Sequence, residues 1–234
     1  MRECADIRSP SLCGIFKSWS SGILPSGFKE ANIIPIHKKE DKEPVTNYRP
    51  VSLLSCASKV MERCVLNKIY PILKNQIYYL QHSFIKGRSC TTQMLYVLHH
   101  LGKVLDCCGQ IDVLYLDFSK AFDSVPHNLL LYPLNQYGIN GSLLNWFSSY
   151  LMGRIQRVVI IESSFSDWLP VVPGVPQGSI FGPFLFLLYI NDLPSIVSPE
   201  SSLALFADDS KCFRSIKALG DCLEFQDDVS AIKS

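Results

Sequence analysis

Apolar positions along the chain change their spacing from one segment to the next, and each spacing predicts an element. Between Leu53 and Leu73 the apolar residues return every three or four positions, and the same spacing holds over residues 91–105. Both stretches are therefore predicted to be amphipathic helices. The run from Ile111 to Leu116 is short, apolar and β-branched at its start, so it predicts a buried strand.

The other patterned segments are helices and strands in irregular order. Further strands are predicted at 31–36, 155–161, 167–172, 203–206 and 211–213. Further helices are predicted from Pro126 to near Gly138, from Asn140 to about Leu151, over 178–193, and in the last 16 residues. The first 30 residues show no firm period. Because strands and helices do not alternate regularly, the order favours an α+β fold.

The composition suits a packed protein with two differently charged halves. The chain has 234 residues, of which 47% are hydrophobic, and this excludes a long disordered tail. Residues 1–105 carry 15 Lys and Arg against 7 Asp and Glu, a net charge of +8, whereas residues 106–234 carry 7 against 14, a net charge of −7. The basic half suits a polyanionic partner and the acidic half suits cations. An effect on solubility alone remains the alternative.

The cysteines and the apolar runs bear on the compartment. The nine cysteines form no Cys-x-x-Cys pair, and no histidine lies near them at zinc-ligand spacing. The start of the chain lacks the apolar run of a signal peptide. The longest apolar stretch, residues 184–190, is far shorter than the roughly 20 residues that a bilayer requires. We therefore expect an intracellular protein of the nucleus and cytoplasm, with reduced thiols and no membrane partner.

Three aspartates carry the candidate chemistry. Asp117 follows the predicted strand that ends at Leu116, and Asp208 and Asp209 lie at the tip of a predicted hairpin. Mg²⁺ prefers oxygen ligands and is commonly held by one or two carboxylates together with substrate phosphates. Two such ions can activate a hydroxyl and stabilise a leaving group. Taken one at a time, these aspartates are equally typical of solvated turns.

Six motifs in a fixed order give the aspartates a context. They are 47–53 (NYRPVSL), 81–89 (QHSFIKGRS), 116–123 (LDFSKAFD), 145–154 (NWFSSYLMGR), 174–179 (GVPQGS) and 206–209 (FADD). With these motifs the chain resembles the reverse transcriptase domain of non-LTR (LINE-like) retrotransposons, from about Leu12 to its end. Phe206 departs from that pattern, which usually has Tyr, but no expected metal ligand is missing.

The resemblance implies an α+β right-hand polymerase fold with fingers and palm, in which an antiparallel palm sheet packs on helices. Residues 1–30 would lead into the fingers, residues 31–110 would form the basic fingers, and residues 111–234 would form the palm. Because the chain ends shortly after the FADD motif, the thumb is expected to be absent. The chain is accordingly interpreted as a fragment of a longer open reading frame.

The resemblance also implies an activity and its cofactors. The implied reaction is RNA-directed DNA synthesis, in which a nucleotide passes from a dNTP to the 3′-hydroxyl of a DNA primer on an RNA template. Asp117, Asp208 and Asp209 match the catalytic, metal-binding carboxylates, and Asp208 is expected to be the more consistently bound of the pair. The implied cofactor is two Mg²⁺ ions, with Mn²⁺ as a substitute. The oligomeric state is left unknown.

Four residues match positions that handle the nucleotide. Phe122 would lie beneath the incoming sugar and exclude a 2′-hydroxyl, and Gln177 would contact the nucleotide or the template. Arg49 and Lys38 belong to a fingers hairpin that would close over the triphosphate, and arginine suits bidentate phosphate contacts. Lys39 is a further candidate beside Lys38.

Neighbouring motif residues have less specific expected roles. Lys86 and Arg88 are expected to follow the template backbone, because phosphate neutralisation dominates such binding. Gly174 and Gly178 would allow the chain to approach a base pair closely. Asp123 is expected to be structural and to cap the helix that follows it.

Two other functions remain open at the level of sequence. A truncated, non-catalytic remnant that at most binds nucleic acid would keep the same motifs. A group II intron maturase shares the polymerase core, although the segments 116–123 and 145–151 favour the retrotransposon lineage.

Overall fold

The computed structural model describes residues 5–38, 41–118, 121–161 and 164–233. The α-helices are α1 (Ala5–Phe16), α2 (Ser18–Ser21), α3 (Cys56–Leu73), α4 (Cys90–Asp106), α5 (Ala121–Ser124), α6 (His127–Gln136), α7 (Gly141–Leu151), α8 (Phe181–Tyr189) and α9 (Leu219–Lys233). The strands are β1 (Glu30–His37), β2 (Tyr48–Leu53), β3 (Gln110–Asp117), β4 (Arg154–Ile161), β5 (Ser164–Phe165), β6 (Leu169–Val171), β7 (Ser202–Phe206) and β8 (Asp209–Ile216). This arrangement confirms the predicted α+β class.

The chain divides into two compact units, and each is built from two separate segments. Unit 1 comprises Met1–Ile72 and Phe122–Leu185, and unit 2 comprises Leu73–Ala121 and Phe186–Ser234. The predicted assignment of residues 31–110 to fingers and 111–234 to palm stays a prediction.

Unit 1 contains a mixed sheet. Strand β1 pairs antiparallel with β2 and parallel with β4, and β5 and β6 both pair antiparallel with β4. The parallel pairing of β1 with β4 joins segments that lie more than 100 residues apart, for example Ile33 with Val158. Such non-local pairings are decided by tertiary packing, and no local pattern in the sequence predicts them.

An aromatic cluster forms part of the core of unit 1. Trp146, Phe147 and Tyr150 of α7 are fully buried, and so is Phe181 at the start of α8. The ring centroid of Phe181 lies 5.2 Å from that of Phe147, 5.4 Å from Tyr150 and 5.9 Å from Trp146. The edge-on packing of these rings holds the start of α8 in place, and with it the GVPQGS segment that precedes this helix.

Unit 2 contains an antiparallel sheet in the order β3-β8-β7. Helix α4 packs on one face of this sheet, where Val97 is buried with Ala204 of β7 and Phe213 of β8. Helix α4 begins at Cys90 because Ser89 and Thr92 form a reciprocal capping box, in which each side chain accepts from the other residue's backbone N–H. An antiparallel sheet packed on helices is what the resemblance implied for the palm.

Two elements differ from their predicted bounds. Helix α8 is shorter than the predicted 178–193, because Gly178 adopts φ +99° and Ser179 closes a turn onto the Pro176 carbonyl before the helix starts. Helix α1, with Pro10 inside it, lies in the stretch where no firm period was found. None of the helices among the described residues combines the length and the hydropathy that a membrane span requires.

Candidate active site

The β7–β8 hairpin presents two of the three candidate aspartates. Phe206 pairs with Asp209, so Ala207 and Asp208 form the connecting turn. Two-residue hairpin turns commonly require a positive φ, and Ala207 has φ +52°. A residue other than glycine pays roughly 1–2 kcal/mol for this left-handed conformation, so the surrounding structure must hold it.

Strand β3 brings the third aspartate to the same hairpin. Asp117 pairs directly with Asp209 in the β3–β8 ladder, and the Phe118 N–H donates to the Asp208 carbonyl at 3.4 Å. Residues directly opposite in an antiparallel pair share one face of the sheet, with Cβ atoms roughly 4.5–5.5 Å apart. Two facing carboxylates repel each other when no cation lies between them, so this pair is suited to cation binding.

The facing pair opens into a cavity on the α4 side of the sheet. The cavity has a volume of about 350 Å³, and its lining includes Asp117, Asp209, Tyr115, Lys211 and Gln93. Both carboxylates are exposed to solvent. Substrate phosphates and water could therefore complete the coordination of an ion bound there.

The carboxylates suit a Mg²⁺ site at which substrate phosphates supply some of the ligands. Among the described residues no group of three or more His, Cys, Asp and Glu side chains is placed to hold a metal ion. Two carboxylates are nevertheless a common protein contribution to a Mg²⁺ site. The structure brings Asp117 and Asp209 side by side and places Asp208 in the adjoining turn. The metal-binding role of all three residues stays a prediction.

Lys211 is a site residue that the sequence reasoning missed. It lies opposite Tyr115 in the ladder, and its Nζ donates to the Gln93 Oε1 atom at 3.0 Å. Gln93 is fully buried, and its Nε2 donates to the Ala204 carbonyl at 3.0 Å. The ammonium group is thus held by α4 on the carboxylate face. Residues two apart in a strand lie on the same face of the sheet, so the position of Lys211 two residues after Asp209 was the signal that could have identified it.

The segment before α4 supports the hairpin. Arg88 donates from Nη1 to the carbonyls of Tyr79 and Gln81, at 2.6 Å in each case. Burial, reinforced by the positive charge of Arg88, lowers the pKa of His82, so that ring is neutral at neutral pH. The expected contact of Arg88 and Lys86 with the template stays a prediction.

Unit 1 carries the candidate phosphate-binding residues on its β1–β2 hairpin. Arg49 pairs with Ile36 in the ladder, and Lys38 donates from its backbone N–H to the Asn47 carbonyl at 2.8 Å. The side chains of Arg49 and Lys38 are both exposed. Lys39 lies outside the described residues. Exposed cations on a hairpin suit phosphate contacts, and this role also stays a prediction.

Phe122 and Gln177, both in unit 1, are brought together by hydrogen bonds. The Val175 N–H donates to the Phe122 carbonyl at 2.8 Å, and Gln177 Nε2 donates to Asp123 Oδ1 at 3.2 Å. Helix α6 begins after Pro126, which makes no side-chain cap, so capping by Asp123 stays a prediction. The contact with Gln177 supports a structural role for Asp123, because its carboxylate orients the Gln177 amide.

Two glycines of the GVPQGS motif are required by the protein's own backbone. Gly174 has φ +95°, and a Cβ there would lie 2.7 Å from the Asp123 carbonyl oxygen. Gly178 has φ +99°, and a Cβ there would lie 2.9 Å from the Ser52 carbonyl oxygen. Both glycines therefore lie close to neighbouring protein segments, which ties the Gln177 loop to α5 and β2. Their expected approach to a base pair stays a prediction.

Comparisons with known proteins identify the family of this chain. Residues 36–227 match the family described as "Reverse transcriptase (RNA-dependent DNA polymerase)". The "Probable RNA-directed DNA polymerase from transposon X-element" of Drosophila melanogaster is 36% identical over 193 residues, which are 80% of this chain and 21% of that protein. The "RNA-directed DNA polymerase from mobile element jockey" of the same species is 30% identical over 208 residues, 85% of this chain and 22% of that protein.

A solved structure shares the fold. The apo telomerase of Candida tropicalis, truncated from its C-terminal domain, superposes with a TM-score of 0.61 at 13% identity and covers 93% of this chain and 50% of that chain. Against the curated relatives, this chain spans about a fifth of their length. The matched family and the transposon relatives show that the chain belongs to the reverse transcriptase family, in the group found in non-LTR retrotransposons.

Proposed function

We propose that this chain is the RNA-directed DNA polymerase domain of a non-LTR retrotransposon. In the proposed reaction a nucleotide is transferred from a dNTP to the 3′-hydroxyl of a DNA primer paired with an RNA template. The observation that carries the proposal is the cross-strand pair of Asp117 and Asp209 beside Asp208, in a chain of the reverse transcriptase family.

Reverse transcriptases depend on divalent metal ions, and we assign two Mg²⁺ ions to this site, with Mn²⁺ as a substitute. Asp117, Asp208 and Asp209 would hold them. When bound, the ions would polarise the phosphoryl oxygens and lower the pKa of the primer hydroxyl. The strand pairing supports this assignment, because it fixes the Asp117 and Asp209 backbones opposite each other before substrate arrives.

The other candidate residues have distinct proposed tasks. Arg49 and Lys38 bind the triphosphate, and Gln177 contacts the nucleotide or the template strand. Phe122 favours dNTP over NTP by steric conflict with a 2′-hydroxyl. Lys211 adds a positive charge to the carboxylate face, which reduces the repulsion between the aspartates and suits a phosphate-bearing substrate.

A primer-extension assay on an RNA template tests the proposal. Asp117→Asn and Asp208→Asn should each reduce extension by more than the roughly 10–100-fold that loss of an outer-shell partner costs, because each substitution removes a metal ligand. Asp106→Asn is the matched control. Asp106 is an exposed aspartate at the end of α4, and its substitution makes the same change of charge.

Each result bears on a separate part of the proposal. Undiminished extension by a folded Asp208→Asn protein would refute its metal assignment. Absence of incorporation with either Mg²⁺ or Mn²⁺, in a folded wild-type sample, would exclude polymerase activity for this chain.

A further inference from the structure

Residues 80–82, which precede α4, pair with the edge of the β7–β8 hairpin. The Leu205 N–H donates to the Leu80 carbonyl at 3.0 Å, and the His82 N–H donates to the Leu205 carbonyl at 2.9 Å. Gln81 therefore lies beside Leu205 in a parallel bridge. Because Leu205 is near the end of β7, the Gln81 side chain is within reach of the turn.

The Gln81 side chain reaches the backbone of that turn. Its Oε1 accepts from the Ala207 N–H at 3.2 Å and from the Ser83 N–H at 2.9 Å. Gln81 is 1% exposed and Ala207 is 4% exposed, so water has little access to these groups. A buried N–H that lacks an acceptor is strongly unfavourable, so the Gln81 oxygen satisfies a donor that the β7–β8 ladder leaves at the turn.

Ala207 is the point at which this contact can influence the aspartates. Its φ of +52° reverses the direction of the chain after Phe206. Asp208 and Asp209 are the next two residues, so the conformation of Ala207 affects where they lie. Gln81 is itself held, because Arg88 donates to its backbone carbonyl at 2.6 Å. The turn is thus fixed from outside the hairpin by a side chain whose own backbone is anchored.

We propose that Gln81 is a positioning residue of the polymerase site: its side-chain oxygen holds the Ala207 N–H and so sets the Ala207–Asp208 turn, and Asp209 after it, against Asp117. This role rests on the proposed function, since it matters only if these aspartates bind metal. It differs from a purely structural role because it acts on the geometry of the aspartates beyond any effect on folding.

Two substitutions separate the acceptor from the bulk of the side chain. Gln81→Met keeps the length and removes the acceptor, whereas Gln81→Glu keeps an oxygen in reach of Ala207. We expect Gln81→Met to lose protection of the Ala207 amide from hydrogen exchange, to weaken Mn²⁺ binding and to lower kcat roughly 10–100-fold with little change in KM. Gln81→Glu should retain more of the Ala207 protection than Gln81→Met does.

Asn191→Leu is the matched control within unit 2. The Asn191 Oδ1 accepts from the Tyr78 N–H at 2.7 Å, so this change also removes a side-chain amide that serves a backbone N–H. The change removes the acceptor for Tyr78, three residues before Gln81, and not the acceptor for Ala207. We expect it to lower stability to a similar extent while Ala207 protection, Mn²⁺ affinity and kcat stay near those of the wild type.

The possible outcomes distinguish this inference from the proposed function. An unprotected Ala207 amide in the wild-type chain would overturn the inference without any variant. Unchanged Mn²⁺ affinity in a folded Gln81→Met protein that has lost Ala207 protection would also overturn it. If the wild type extends no primer, the proposed function fails, and the exchange and Mn²⁺ measurements still decide the role of Gln81.

Discussion

Ala207 illustrates what single residues contribute to this site. Its left-handed backbone lies between two motif residues, and its N–H is satisfied by Gln81 from a segment more than 100 residues earlier. The identity of the aspartates could be predicted from sequence because their motif is contiguous. The support from Gln81 could not, because a hydrogen bond between distant segments leaves no local pattern in the sequence.

The cysteines allow a test at the residue scale. Burial, reinforced by the negative charge of Asp228, raises the pKa of the Cys212 thiol from 9.0 to about 11. At pH 8 this leaves roughly a hundredfold less thiolate than the ordinary pKa would, and the thiolate is the reactive form. We expect iodoacetamide to label Cys64 and Cys107, which are exposed, and to spare Cys212 in the folded chain.

Mass spectrometry of the labelled peptides measures this difference. Urea-unfolded protein is the control, because all three thiols should then react at similar rates. Equal labelling of Cys212 and Cys107 in the folded protein would contradict the burial of β8.

At the scale of elements, the predictions were most accurate where the local spacing of apolar residues marks the segment. Helix α4 was predicted at 91–105 and spans Cys90–Asp106. Strand β3 was predicted at 111–116 and spans Gln110–Asp117, but the prediction that it is buried was wrong, because its residues are half-buried or exposed. Helix α8 was overextended because its residues are apolar on all sides, so periodicity could not mark its ends. Its start is set by Glu62, whose Oε2 accepts from the Ile180 N–H at 2.7 Å.

Glu62 makes a pH-dependent prediction for the start of α8. Burial raises the pKa of its carboxyl group above the ordinary 4.5. The hydrogen bonds that the carboxylate accepts from the Ile180 and Phe181 N–H groups and from the Ser58 hydroxyl lower this pKa, but burial has the larger effect. The folded state then binds more protons than the unfolded state between the ordinary and the raised pKa. The contribution of Glu62 to stability therefore decreases as the pH rises through this range.

Glu62→Gln removes this titration while its amide can still accept from the helix and donate to Ser58. We expect its free energy of unfolding, relative to the wild type, to be higher at pH 7.5 than at pH 4.5, as measured by urea denaturation. Glu43→Gln is the control, because Glu43 is exposed and lies in the same unit. A relative stability of Glu62→Gln that stays constant with pH would contradict the raised pKa.

At the scale of the whole molecule, the uneven charge and the family relationship both indicate a nucleic-acid partner. The N-terminal 105 residues carry a net charge of +8, which suits an RNA template, and the aspartate hairpin lies in the acidic remainder. The grouping of the chain into two units, each made from two segments, was not predicted. It depends on pairings between distant strands, such as β1 with β4 in unit 1.

The charge distribution predicts how binding of an RNA–DNA hybrid responds to salt. The logarithm of the association constant should fall linearly with the logarithm of salt concentration, because bound phosphates release counterions. Lys86→Gln should reduce the magnitude of this slope by about one, as expected for a lysine that contacts a phosphate. Lys103→Gln, an exposed lysine outside the motifs, should leave the slope unchanged in fluorescence-anisotropy titrations. A slope that Lys86→Gln does not alter would remove Lys86 from the template contact.

The sequence by itself determined the family and the α+β class and predicted Asp117, Asp208 and Asp209 as candidate metal ligands, because contiguous motifs and local periodicity carry that information. Only the tertiary structure decided that Asp117 faces Asp209, that Lys211 shares their face and that Gln81 holds the Ala207 turn. The physical reason is that strand register and buried hydrogen bonds join residues far apart in the chain. Their partners are chosen by packing of the whole unit and not by neighbouring residues.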